Sequence, residues 1–177
     1  MTMMVAWALL IVRVVVGLTL AAHGAQKLLG WFGGGGYAKT QQGFHAQGFR
    51  PAALWLWLAI LGELGGGLSL AFGFLTPLGA AGAVGAMAVA INSHWAKGFF
   101  GAKGGFEYPL TLLVVSAAIG IAGPGPLSLD ALFKPALPED PIFITLGIIA
   151  LLTSAAAIAI SRTTKRAEAS SSAAHPA

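Results

Sequence analysis

Two ionisable side chains lie deep inside long apolar stretches of the sequence. Arg13 stands ten residues before His23, and Glu63 stands nine residues after Leu54. An ionisable group at the centre of a bilayer costs at least about 2.5–3.5 kcal/mol, so each of them needs a reason to be there. If His23 and Leu54 mark the same membrane surface, the helical rise puts the two charges at similar depth. We therefore expect an Arg13–Glu63 ion pair.

This ion pair has two interpretations. It either fixes the packing of two neighbouring helices, as buried ion pairs often do, or it tunes Glu63 as a proton-accepting or ligand-contacting group. In the second interpretation Arg13 holds Glu63 in place.

More polar side chains gather at the ends of the apolar stretches. Polar groups from three helices at one depth are typical of a half-buried pocket, while interfacial anchoring explains Lys27 and Tyr108 equally well. The candidate catalytic residues are Glu63, His23, His94 and Glu107. The candidate ligand-binding residues are Arg13, Lys27, Asn92 and Tyr108.

Imidazole and carboxyl groups in this arrangement favour hydrogen bonding and proton exchange with a quinone or another lipophilic ligand. Haem held by His23 and His94, or a metal held by His and Glu side chains, is a weaker alternative, and we predict no metal site. A transporter that uses the polar pocket as its substrate site is a further alternative. The absence of cysteine excludes disulfides, thiol relays, Cys-ligated zinc and iron–sulfur clusters.

Composition shows where these residues must operate. Of the 177 residues, 56% are hydrophobic and only 9% are charged, against roughly 25% charged in soluble domains. The sequence therefore predicts an integral membrane protein and excludes most soluble enzymes. The net charge of +4 then reports topology and contact with anionic lipid rather than nucleic-acid binding.

Five apolar segments are long enough, or nearly so, to cross a bilayer as helices. They are residues 4–23, 54–74, 78–95, 106–122 and 141–160. The sequence thus predicts an all-α, polytopic transmembrane bundle. We expect a four-helix domain over residues 1–133, an extra transmembrane helix over 134–160, and a disordered basic and polar tail over 161–177.

The basic residues are distributed unevenly between the two sides of such a bundle. Eight of the ten lie in the loops after the first and third segments or in the tail, and Lys134 alone lies in the opposite loops. Because cytoplasmic loops are enriched in Lys and Arg, this pattern predicts that the C-terminus is cytoplasmic and the N-terminus outside.

The order of the polar motifs resembles the DoxX family of small bacterial four-helix membrane proteins. The resemblance covers about residues 5–133. It is carried by Arg13, His23-Gly24, Lys27-Leu28, Gly62-Glu63, His94, Glu107-Tyr108 and the stretch from Gly123 to Asp130.

This resemblance implies a multi-pass protein of the bacterial inner (plasma) membrane. It also implies relation to the membrane subunit of thiosulfate:quinone oxidoreductase and to membrane partners of superoxide dismutase and sulfurtransferase. Our first hypothesis is accordingly the membrane subunit of a quinone-linked oxidoreductase or oxidative-stress complex, which receives electrons from a soluble redox partner.

The alternative is a non-enzymatic anchor or scaffold, or a small-solute carrier. The fifth segment departs from the four-helix plan and is interpreted as peripheral packing or a surface for docking a partner. The lack of cysteine argues against direct handling of thiols or persulfides by this chain. Whether the chain is catalytic, and whether it forms a homo-oligomer, stays open.

Overall fold

A computed structural model describes residues 1–135 and 141–174. Within this part of the chain the regular structure is entirely helical, which confirms the all-α prediction. The α-helices are α1 Met3–Leu28, α2 Gly36–Ala46, α3 Ala52–Ile60, α4 Gly66–Phe72, α5 Thr76–His94, α6 Glu107–Ala122, α7 Leu129–Phe133 and α8 Pro141–Ala174. A π-helical turn, Leu61–Gly65, joins α3 to α4 without a break.

Four helices in the described residues are long and apolar enough to cross a membrane. They are Met3–Leu28, Ala52–Phe72, Thr76–Lys97 and Ile142–Ser171. Helix α6 is also apolar, but its 16 residues extend only about 24 Å, against a hydrocarbon thickness of about 30 Å. The helical bundle is confirmed, while a count of five spans stays a prediction.

The helices run back and forth between two ends of the bundle. The loop end carries residues 29–51, 95–106 and 161–174, and the turn end carries residues 73–75 and 123–135. At the loop end Ser161 Oγ donates to the Gln47 carbonyl over 2.6 Å, and at the turn end the Asp130 carboxylate accepts from the Leu75 amide over 2.7 Å. Both basic loops and the C-terminal segment therefore meet at one end.

Glycines let α1 approach α4 closely. A Cβ atom on Gly17 would lie 2.5 Å from the Ala71 amide nitrogen, and one on Gly67 would lie 2.5 Å from that of Ala21. Small residues at a helix interface allow such backbone contact in membranes, where dispersion forces rather than water drive packing. These contacts fix how far α1 is shifted along α4.

The prediction of a disordered tail from Ser161 is wrong for the residues that the structure describes. Helix α8 continues to Ala174, and Arg162 Nη2 donates to Asn92 Oδ1 over 2.8 Å. Its segment beyond Ser161 contains alanine, arginine, lysine and glutamate, which favour helix, and extending an existing helix avoids the cost of nucleation. Residues 136–140, which belong to the predicted extra-helix region 134–160, and residues 175–177 of the predicted tail lie outside the described residues.

Candidate functional site

The most deeply buried carboxylate of a membrane span, Glu63, pairs with Lys27. Lys27 Nζ at the end of α1 contacts Glu63 Oε2. The Glu63 side chain is 3% exposed and the Lys27 side chain is 25% exposed, so the pair is closed on the carboxylate side and partly open on the ammonium side. Glu63 lies within the π-helical turn, a local widening of the helix that occurs frequently at functional sites.

Arg13 lies in a different layer of the bundle, at the turn end. Its Nη1 donates to the carbonyl of Pro124, and its Nη2 donates to the carbonyl of Leu127 over 2.7 Å. Arg13 is buried, and its guanidinium packs on Gly73, where a Cβ atom would overlap it. Gly73 also has a φ of +62°, which glycine adopts without strain.

The predicted Arg13–Glu63 ion pair is therefore wrong. The prediction treated His23 and Leu54 as the same level, but α1 continues to Leu28 before the chain turns. The glycine contacts between α1 and α4 then place Arg13 level with the turn after α4 and Glu63 level with the last turns of α1. Arg13 holds the loop after α6 instead of holding Glu63.

The turn end of the bundle, where Arg13 lies, contains a second buried carboxylate, Asp130. Its two oxygens accept from the amides of Leu75 over 2.7 Å and Thr76 over 3.0 Å. These amides begin α5, where backbone N–H groups have no partner inside the helix. Sequence reasoning missed this role, although Ser128, which accepts from the Ala131 amide as a helix N-cap, marked a helix beginning beside Asp130.

At the loop end, His23 bridges two other side chains. Its Nδ1 lies 3.0 Å from Gln26 Oε1, and its Nε2 lies 3.4 Å from the hydroxyl of Tyr108. The Gln26 amide nitrogen donates to the Phe32 carbonyl, which turns the amide oxygen toward His23. Nδ1 is therefore placed to donate to Gln26, and in a neutral imidazole this leaves Nε2 as an acceptor that faces the Tyr108 hydroxyl. This arrangement is suited to passing a proton.

His23 and the ion pair are close neighbours along α1. His23 and Lys27 stand four residues apart and thus share a face of the helix. Glu63, Lys27, His23 and Tyr108 therefore belong to one cluster, which we call the loop-end cluster. Gln26 belongs to it as the residue that orients His23.

The other predicted site residues at this end have different partners. His94 Nδ1 lies 2.7 Å from the Gly104 carbonyl, and Glu107 Oε2 accepts from the Gly101 amide over 2.7 Å. Asn92 accepts from Arg162 of α8. His94 and Glu107 thus hold the loop between α5 and α6, and their hydrogen bonds do not connect them to Glu63 or His23.

The predicted polar pocket is not confirmed. Two apolar cavities lie along α5, one toward α8 and one toward α4, and the eight predicted site residues do not line either of them. In the part of the chain that the structure describes, no three His, Asp or Glu side chains are placed to hold a metal ion together. The polar groups instead form the loop-end cluster and the separate Arg13 layer.

An apolar bundle with two internal polar layers defines a polytopic integral membrane protein. A family model described as DoxX matches residues 8–98, just over half of the chain. The protein belongs to the DoxX family. The match includes most of α1 and all of α2 to α5, and with them Arg13, His23, Lys27, Glu63 and His94. Comparisons with curated proteins and with solved structures found no match.

Proposed function

We propose that this DoxX-family protein is the membrane subunit of a quinone-linked oxidoreductase or oxidative-stress complex. In this proposal the loop-end cluster exchanges protons with a quinone or a similar lipophilic ligand. The observation that carries it is the Lys27–Glu63 pair, a nearly fully buried carboxylate in a π-helical turn whose partner is partly open. Buried ionisable residues in membrane spans commonly mark proton or substrate pathways.

Quinone chemistry suits these residues. Reduction of a quinone to a quinol takes up two electrons and two protons. The His23–Tyr108 contact and the Glu63 carboxylate supply groups that can donate and accept protons. The chain contains no cysteine, so we assign the electrons to a soluble redox partner of the sulfurtransferase or superoxide dismutase type.

The roles of four predicted site residues are revised in this proposal. Arg13 positions the loop at the turn end, and His94 and Glu107 position the loop between α5 and α6. Asn92 contributes to the docking of α8. The ligand-contacting set is reduced to Glu63, Lys27, His23 and Tyr108.

Quinone content after purification tests the proposal. The protein is purified in detergent from membranes that contain menaquinone or ubiquinone, and the quinone that stays bound is extracted and quantified. We expect stoichiometric quinone in the natural sequence and its loss in His23→Phe and Glu63→Gln. Glu107→Gln is the matched control, because it removes a carboxylate that bonds to loop backbone. Equal quinone retention in all four proteins would contradict the proposal.

We also propose that the loop end faces the cytoplasm of a bacterial cell and that the N-terminus lies outside. The basic residues of both loops and of α8 at one end support this orientation. Because the chain has no cysteine, single cysteines can be introduced without background. We expect Ser170→Cys to be protected from a membrane-impermeant maleimide in intact spheroplasts and Lys134→Cys to be labelled; the reverse pattern would overturn the orientation.

A non-enzymatic anchor or scaffold is the second candidate, and one observation favours it. Helix α8 continues 14 residues beyond Ile160, past the apolar segment, and most of residues 161–171 are exposed at the loop end. If the protein is a scaffold, replacing both Lys27 and Glu63 by methionine keeps the fold and leaves complex formation and any partner-dependent activity intact. Loss of activity in this double variant with the fold retained favours the quinone-linked function.

A further inference from the structure

An apolar groove lies between α3, α5 and α8. Its cavity has a volume of about 270 Å³, and its walls are almost entirely apolar. Along α5 the lining extends from Leu78 to Val89, which is about 16 Å by helical rise and close to half the hydrocarbon thickness. The groove does not include Glu63, so it is separate from the loop-end cluster. Its length is sufficient to hold one acyl chain.

Aromatic side chains line the part of the groove nearest the loop end. Phe44 and Phe49 line it there, with ring centroids 5.2 Å apart. Trp55 also lines it, and its indole Nε1 donates to the Arg50 carbonyl over 3.2 Å. Tryptophan is enriched at the level of lipid headgroups, so this end of the groove lies at a membrane surface.

Two cations lie beside these aromatic residues. The Arg50 guanidinium follows Phe49 and donates to the His45 carbonyl over 2.6 Å. Lys165 stands two helical turns beyond Ala157, which lines the groove, and on the same face of α8. A Cβ atom on Gly48 would lie 3.1 Å from Lys165 Cγ, so the stem of Lys165 crosses the backbone next to Phe49.

The balance of charge at this place is positive. Arg50 Nη2 contacts Glu168 Oε1 at 2.7 Å, and the Glu168 side chain is 58% exposed. Among the described residues, Lys165 has no carboxylate within 4.0 Å. One acidic group therefore faces two basic groups, and the exposed pair is weak enough to open for a stronger anion.

We propose that an anionic glycerophospholipid binds here, with its phosphate on Arg50 and Lys165 and one acyl chain in the groove. Basic pockets between transmembrane helices are a common way to hold anionic headgroups. A phospholipid is favoured over a free anion because the cations lie next to Phe49, which lines an apolar groove that only a molecule with an apolar chain would fill. Charge and shape thus select the same ligand class.

Native mass spectrometry of the detergent-solubilised protein tests the proposal. The probes are phosphatidylglycerol and phosphatidylcholine with identical acyl chains. We expect at least about fivefold preference for phosphatidylglycerol, from a gain of about fivefold for each basic residue at a membrane surface. The preference should disappear in the Arg50→Gln/Lys165→Gln double variant. The control is Lys97→Gln/Lys103→Gln, which removes two charges from the other basic loop of the same end.

A second pair of variants tests the acyl chain. Thr153 lines the groove and is exposed, so Thr153→Trp fills the groove without disturbing the core and should weaken both lipids. Thr145→Trp, on an exposed position of α8 outside the lining, should not. If the Arg50 variant does not fold, Lys165→Gln alone, which changes an exposed side chain, must still reduce the preference.

Three results would overturn the proposal. Equal loss of preference in both double-charge variants would indicate general attraction to the basic end. Full competition by glycerol 3-phosphate, with no effect of Thr153→Trp, would indicate a site for free phosphate groups. A lipid-free dimer that Thr153→Trp dissociates would indicate that a second copy of the chain fills the groove.

Discussion

The Lys27–Glu63 pair predicts an unequal response to removing its two members. Removing one member of a buried ion pair leaves the other without compensation. Glu63, with a side chain 3% exposed, cannot reach water when Lys27 is replaced. Lys27, with a side chain 25% exposed at the end of α1, can extend toward the membrane surface when Glu63 is replaced.

We therefore expect Lys27→Met to destabilise the protein more than Glu63→Gln. Breaking a buried pair typically costs about 3–5 kcal/mol, and the isolated carboxylate left by Lys27→Met places that variant at about 3 kcal/mol. Glutamine still accepts a hydrogen bond from the ammonium, so Glu63→Gln should cost about 1 kcal/mol. At roughly 2–4 °C per kcal/mol for a chain of this size, the melting temperatures should fall by about 6–12 °C and about 2–4 °C.

Thermal unfolding in one detergent, followed by circular dichroism at 222 nm, measures both shifts. The Glu63→Met single variant and the Lys27→Met/Glu63→Met double variant complete a double-mutant cycle with Lys27→Met. We expect the double variant to lose less stability than Lys27→Met alone, because no buried charge remains. The reasoning is refuted if Glu63→Gln is the more damaging single change, or if the two single effects add in the double variant.

Three further predictions concern other parts of the molecule. Gly73→Ala should cost at least about 1–2 kcal/mol in the same unfolding assay, because its positive φ disfavours a side chain and a Cβ atom would displace the Arg13 guanidinium. Gly65→Ala, which meets no atom within 4 Å, should be neutral or slightly stabilising; equal effects would contradict this account. Arg13→Lys should speed hydrogen exchange in residues 123–130 and leave the loop end unchanged, because one ammonium lacks the fork that bonds two carbonyls; unchanged exchange at the turn end would refute that role. Glu168→Gln should change stability by less than about 0.5 kcal/mol, since its pair with Arg50 is exposed, and a loss above 1 kcal/mol would show that this pair stabilises α8.

The sequence predicted the helices better than the contacts between them. Long apolar runs are sufficient to indicate membrane-crossing helices, because few other structures satisfy the backbone in lipid. The shift of α1 along α4 depends on which glycines meet, and Gly17 could have met several of the glycines from 62 to 67. Arg13 and Lys27 stand 14 residues apart on α1, about 21 Å by helical rise, so the partner of Glu63 depends on a difference of about four turns in this shift.

The candidate site was predicted only in part, because the sequence indicates where each helix ends but not which helices are in contact at a given depth. His23, Lys27 and Tyr108 each stand near the loop end of their helices, which the segment boundaries indicate. Glu63 stands in the middle of its span and joins them only through the observed shift of α1 along α4. His94 and Glu107 stand at similar depth, but hydrogen bonds to Gly104 and Gly101 satisfy them locally. The position of a polar side chain along its apolar segment indicates its depth in the membrane. Whether that side chain bonds to nearby backbone or to another helix depends on the folded loop beside it.

The π-helical turn makes one membrane span out of two helices that differ in phase. A π-turn holds one residue more than the α-helical path it replaces, and one residue corresponds to a rotation of about 100°. Leu56 of α3 faces Phe49 and α8, while Gly67 of α4 faces α1. Deleting a single residue from 61–65 would therefore force one half of the span to turn its packed face toward lipid. A deletion scan along 52–72 would locate the π-helical turn as the place where the two halves can no longer both keep their packed faces inside the bundle.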